Sequence, residues 1–119
     1  MPTDKTTDNS HSFESYFKRA TSPLAVLCLL RSHPMYGYEL SQAMKQASDG
    51  RFTISVLYPV LYRLEHQGYV YVDRTEIINN RARSYYAVTD EGRRHLEKCL
   101  REYDEMDKAF RAILNAKTE

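Results

Sequence analysis

A chain of 119 residues with 42% hydrophobic content can close one modest core, so a single domain is expected. Its 17 Lys and Arg against 16 Asp and Glu leave a net charge of +1, which excludes a histone-like polycation and an acidic tail protein but leaves local patches open. No apolar run approaches the ~18 residues of a membrane span, no apolar leader is visible, and two cysteines make no disulfide framework, so a reduced, cytoplasmic setting without membrane contact is expected.

Residues 1–12 are polar and read as a disordered tail. Phe13, Tyr16, Phe17 and Ala20 follow the i, i+3, i+4, i+7 spacing of a short amphipathic helix. Ser22-Pro23 then reads as the start of a second helix, Ser22 at N-cap and Pro23 at the first helical position. The run from Leu24 to Leu30 is apolar on every side, which predicts burial almost all round, and Pro34 closes this helix. Gly37 opens the next, with Leu40, Ala43, Met44 and Ala47 on one stripe and Ser48-Asp49-Gly50 as its stop. Leu57, Val60, Leu61 and Leu64 repeat the stripe, with Gly68 just past the end; Thr53 and Ser55 both suit the cap, and Pro59 argues for a late start or a distorted first turn.

The period then changes from helical to alternating. Residues 69–72 and 84–88 are β-branched and aromatic and read as two strands of a hairpin, turned by Asn79-Asn80. Thr89 caps the last helix. In it Leu96, Tyr103 and Phe110 recur every seventh residue, and Cys99, Met106 and Ile113 lie three after each: a heptad seam of two and a half repeats. That is too short for a free-standing coiled coil, so the seam needs a further partner, and the Phe13–Ala20 stripe of the same or a second chain suits it.

Short helices followed by a hairpin give a mainly α fold with a small β hairpin, in the order of a winged helix-turn-helix. The segment Pro34-Met35-Tyr36-Gly37-Tyr38-Glu39-Leu40 resembles the P-x-Y/H-G-Y-E-L stretch of the PadR family of transcriptional regulators. Residues 56–65 resemble its T-L-Y-P-x-L-x-R-L-E recognition helix, Gly68-Tyr69-Val70 its G-L-I/V, and residues 83–92 its R-x-Y-Y-x-L-T-x-x-G. The matches run in order from about Ser22 to Arg94, and a single helix after the hairpin is similar to the short-tailed branch. The resemblance implies a homodimer on a pseudo-palindromic operator, usually a repressor, with release by a small aromatic or amphipathic effector in some members. Pattern and resemblance together divide the chain into a disordered tail at 1–12, a winged helix-turn-helix DNA-binding domain with a short N-terminal helix at 13–92, and a dimerisation helix at 93–119. One departure is Ser55-Val56, where the family often has Gly-Thr. An apolar side chain replaces a hydroxyl there, so the operator sequence does not carry over.

Thr53, Ser55 and Val56 begin the recognition helix and are expected near base edges, with Arg63 further along it. Tyr38 and Tyr58 are read as phosphate contacts, Tyr36 and Tyr62 as packing. Of Tyr85 and Tyr86, neighbours on a strand, one should be core. From Arg51 to Arg94 seven arginines face only five acids, but the hairpin tip has Asn80, Arg81 and Arg83 with no acid from Ile77 to Ala87, and is expected on the DNA backbone. Phe13, Phe17, Leu96, Cys99, Tyr103, Met106, Phe110 and Ile113 are the expected dimer interface. The four histidines show no metal-ligand spacing, and no nucleophile–base order or phosphate loop stands out, so neither metal, cofactor nor enzymatic activity is expected. The small charge excess supports a second reading, a winged-helix protein-interaction module without DNA binding.

Overall fold

A computed structural model describes residues 11–53 and 57–118. It comprises α1 (Phe13–Leu30), β1 (Met35–Tyr36), α2 (Gly37–Ala47), α3 (Leu57–His66), β2 (Val70–Ile78), β3 (Arg81–Val88) and α4 (Asp90–Leu114). The three strands form one antiparallel sheet in the order β1-β3-β2. Helices and sheet close on a core that includes Val26, Leu27 and Leu30 of α1, Leu40 and Met44 of α2, Leu57, Leu61 and Leu64 of α3, Val70, Tyr86 and Val88 of the sheet, and Leu96 of α4.

The first helix corrects the sequence reading. The expected short helix and its successor are one helix of 18 residues, with Pro23 inside it. Ser22 is not an N-cap. Its hydroxyl is buried and donates back to the carbonyl of Lys18, as Thr21 does to that of Phe17. These are helix-interior bonds, which a cap residue with extended backbone cannot make. The cap sits ten residues earlier, where Ser12 Oγ accepts from the amide of Ser15 at 3.0 Å, so Ser12 belongs to the folded domain. Nor is the apolar run buried all round. Ala25, Cys28 and Leu29 are half-buried and line an open apolar cavity of about 230 Å³ with Met44, Ala47, Ser48 and Phe52.

The other boundaries follow local chemistry. Past the end of α3, Gly68 takes φ +85°, and the amides of Gly68 and Tyr69 donate to the carbonyls of Glu65 and Leu64. This is the Schellman closure that only a residue free of Cβ adopts easily. Asn79 and Asn80 both take positive φ, 53° and 63°, as a two-residue hairpin turn with the strands' twist requires. Between Val72 and Arg74 the register slips by one residue, leaving Asp73 as a bulge. The two-residue strand β1 was not foreseen; its pairing, Met35 to Tyr86 and Tyr36 to Tyr85, joins positions about fifty residues apart.

Helix α4 starts at Asp90, inside the domain expected to end at residue 92. Its first turn is locked to the sheet. Thr89 Oγ1 donates to the carbonyl of Gly68 at 2.7 Å and accepts from the amide of Gly92 at 2.8 Å. Gly92 lies so close to β2 that a Cβ there would stand 2.1 Å from the carbonyl oxygen of Tyr69. One turn on, the His95 ring stacks on Tyr69 at 4.0 Å between centroids. Leu96 then enters the core of its own chain, only 2% exposed, so it does not line an interface as expected of it.

Candidate nucleic-acid interface

Helix α3 buries Leu57, Leu61 and Leu64 along one stripe, which turns Tyr58, Tyr62 and Arg63 outward along the opposite one. Tyr58 and Tyr62 lie 6.0 Å apart between ring centroids, with Tyr62 more than half exposed. Packing was expected of Tyr62; instead it shares the open face with Tyr58. Tyr38, at the second position of α2, is also open, at 66% exposure. Thr53 is exposed ahead of α3, while Ser55 and Val56, the other expected base readers, lie outside the described residues.

Tyr58 has room for its ring because of a glycine that the sequence reading took only as a helix start. A Cβ on Gly37 would lie 2.0 Å from the Tyr58 hydroxyl and 2.6 Å from its Cζ. The phenol therefore rests on bare backbone at the first residue of α2. The signal was present in the juxtaposition Tyr36-Gly37-Tyr38, but a contact with a residue 21 positions away is not readable from it.

The wing carries two faces. Val70, Tyr86 and Val88 point to the core. The Tyr86 phenol is pushed up from its ordinary pKa, chiefly by burial, with Tyr62 and Glu65 of α3 adding to the effect. The opposite face holds Tyr36, Arg74, Glu76, Arg83 and Tyr85. Both adjacent tyrosines are thus buried, Tyr86 by the core and Tyr85 by the outer-face cluster. In that cluster the Arg74 guanidinium lies 3.9 Å over the Tyr85 ring, Tyr36 meets Tyr85 edge-on at 5.2 Å, and the Arg83 guanidinium lies 4.8 Å over Tyr36. Arg74 Nε donates to Glu76 at 2.9 Å, and that bond holds the Glu76 carboxyl below its ordinary range.

The tip is simpler. Asn80 and Arg81 are exposed, whereas Arg83, expected with them, is half-buried against Tyr36. The acid-free stretch from Ile77 to Ala87 begins one residue past Glu76, and the hairpin folds Glu76 directly across the ladder from Arg83.

A second surface lies away from the wing. Phe13 and Phe17 are exposed on α1, and Phe17 touches Phe52 edge-on. On α4, Tyr103, Met106, Phe110 and Ile113 are all exposed, from 47% to 67%. The helix has 25 residues, about 37 Å of length, and beyond its first three turns it extends from the core as an arm. Cys99 sits at the root of that arm, half-buried, with Sγ 3.4 Å from His95 Nε2. Burial pushes its thiol up, which works against a reactive thiolate. Among the described residues no helix is long and apolar enough to cross a membrane.

Comparison with known proteins gives this geometry its context. The family model of PadR-like transcriptional regulators matches residues 26–98. A PadR family transcriptional regulator from Eggerthella lenta superposes with a TM-score of 0.76 at 30% identity, over 86% of this chain and 88% of its own. A transcriptional regulator from Clostridium thermocellum gives 0.75 at 27%, over 82% and 96%. Bacillus subtilis PadR, solved in complex with operator DNA, gives 0.61 at 28%, and the alignment covers 67% of this chain but 47% of that one. The family match runs from the end of α1 through α2, α3 and the wing into the first turns of α4. This chain belongs to the PadR-like family of transcriptional regulators, and is a regulator rather than an enzyme.

Proposed function

We propose that this protein is a repressor that binds a pseudo-palindromic operator as a homodimer. The observation that carries the reading is the exposed stripe of Tyr58, Tyr62 and Arg63 on α3, flanked by Tyr38 on α2 and by Asn80 and Arg81 at the wing tip. Phenols and arginines on one face suit phosphate oxygens, and α3 has the size and exposure of a helix that enters a major groove. A relative at 28% identity has been solved on operator DNA with a comparable fold. Tyr38, Tyr58, Arg81 and Arg83 then meet the backbone, while Thr53, Ser55 and Val56 stand near base edges, with Arg63 along the same helix. Phe13 and Phe17 with Tyr103, Met106, Phe110 and Ile113 form the dimer contact, with Cys99 at its edge. Paired recognition helices set half-sites ~34 Å apart or a multiple of it. Release by a small aromatic compound completes the reading. The open apolar cavity beside α1 and α2 supports it, since its lining by Ala25, Cys28, Leu29, Met44 and Phe52 suits an aromatic ring.

Selection of bound duplexes from a random pool tests it. A palindromic motif should be enriched, and the double replacement Arg81→Ala, Arg83→Ala should weaken binding to every sequence and lower the salt slope by about two per half-site, about four for the dimer. Enrichment of no motif would leave the protein-interaction module in its place.

A further inference from the structure

The outer face of the wing holds two arginines, Arg74 and Arg83, and the acids beside them, Glu76 and the bulged Asp73, are divided unequally between the two. Arg74 takes the acids: its Nε is 2.9 Å from Glu76 and its Nη1 3.4 Å from the bulged Asp73. Its flat side is spent on Tyr85 at 3.9 Å. Arg83 lies directly across the ladder from Glu76, yet among the described residues it forms no ion pair. Its partner is Tyr36, which offers a neutral ring 4.8 Å from the guanidinium and a hydroxyl 3.4 Å from Nη1. A cation held by a π face and a phenol keeps its full charge and most of its five N–H donors. One held by a carboxylate would be neutralised. Tyr36 is itself fixed from both sides, by β1–β3 pairing opposite Tyr85 and by its amide donating to Glu39 Oε1 at the start of α2.

We propose that Tyr36 is a positioning residue for DNA binding, holding the Arg83 guanidinium out of a direct ion pair and aimed for a backbone phosphate while Arg74 takes the Glu76 carboxylate. This rests on the reading of the wing as a DNA contact. It assigns the tyrosine of the Tyr36-Gly37-Tyr38 segment a role through Arg83, and it makes Arg74 a structural residue despite its charge.

The test compares wild type, Tyr36→Phe, Tyr36→Leu, Arg83→Ala and the double variant Tyr36→Leu, Arg83→Ala on the selected duplex and on an unrelated one, across a salt series. Arg83→Ala should weaken binding to both duplexes and lower the salt slope by about one per half-site, about two for the dimer. Tyr36→Phe keeps the ring and should stay within about twofold of wild type, while Tyr36→Leu should weaken binding roughly threefold. In the Arg83→Ala background the leucine should cost nothing more. Without DNA, the Arg83 Nε–Hε resonance should be displaced by the tyrosine ring in wild type and Tyr36→Phe. A wild-type resonance at the free-arginine position overturns the proposal whatever the stability of Tyr36→Leu. So does an equal loss from the leucine with and without Arg83, or a leucine variant that binds like wild type beside a weakened Arg83→Ala. If Arg83→Ala itself changes neither affinity nor slope, the wing contact fails, and the positioning role with it.

Discussion

Replacing Gly37 with alanine isolates the contact that fixes Tyr58. The new Cβ would stand 2.0 Å from the phenol oxygen, and ordinary contact needs about 3.4 Å, so the ring tip must move by about 1.4 Å or more. It can do so, because Tyr58 is nearly half exposed and only its far end is struck. Stability should therefore change by less than about 1 kcal/mol, helped by alanine's better helix propensity. DNA binding should not escape. A phenol displaced from its phosphate forfeits about 1 kcal/mol per half-site, or about 2 kcal/mol in a dimer, which is roughly 30-fold in Kd. Fluorescence anisotropy on the selected duplex, with thermal melting of the free protein, reads both quantities. Tyr58→Phe should reproduce most of the loss, and the double variant should be no worse than the worse single one. Wild-type affinity in Gly37→Ala would refute the idea that Tyr58 works from this position. A large fall in melting temperature with unchanged affinity would refute the geometry.

Pro23→Ala should stabilise the chain by about 1–3 kcal/mol, since it restores one bond of α1; a lower melting temperature would show that the proline shapes the helix usefully. Gly92→Ala should destabilise by about 2 kcal/mol or more, because its Cβ meets the backbone oxygen of Tyr69, which cannot swing away as Tyr58 does; unchanged denaturant unfolding would contradict that packing. Leu96 and Phe110 share one heptad position but should separate cleanly. Leu96→Ala should cost about 2–5 kcal/mol of folding, whereas Phe110→Asp should leave the fold intact and yield monomers by ultracentrifugation. Tyr85 and Tyr86 both keep their protons beyond the ordinary tyrosine range, chiefly through burial. Folded pKa values raised above the unfolded ones mean stability held below pH ~10 and lost as pH climbs through the folded values. Absorbance at ~295 nm should show late-titrating phenols that diminish in Tyr86→Phe.

The helices of the core were legible because their signal is local and periodic: Leu40 and Met44, then Leu57, Leu61 and Leu64, repeat at helical spacing and are buried as the spacing requires. The hairpin turn was equally legible, since two asparagines announce positive φ. Where the reading failed, a non-local contact had decided. Ser22-Pro23 has the chemistry of a helix start, but continuing α1 lets Val26, Leu27 and Leu30 reach the core while Phe13 and Phe17 extend beyond it. A heptad says that a seam exists and not whose chain fills it, so Leu96 was grouped with Tyr103 although it packs at home. Strand β1 is two residues long, below the length at which alternation means anything. The candidate interface was legible as residue types on α3 and at the tip. Its supports were not, because Gly37 under Tyr58 and Tyr36 under Arg83 are 21 and 47 residues apart in sequence.

The joint at the base of α4 links the two surfaces of the molecule. Thr89, Gly92 and the stacked pair of Tyr69 and His95 fasten the first turn of α4 to the start of β2, directly after the closure of α3 at Gly68. The first turns of α4 are thus tied to the end of α3, and the remaining arm carries Tyr103, Met106, Phe110 and Ile113 outward. In the proposed dimer the arms meet, so the angle at this joint sets the distance between the two α3 helices. A helix about 37 Å long magnifies a small rotation at its root into several ångströms at its end. Half-site spacing is a strict geometric requirement, and so residues that never touch DNA, Gly92 above all, should govern which spacing is bound.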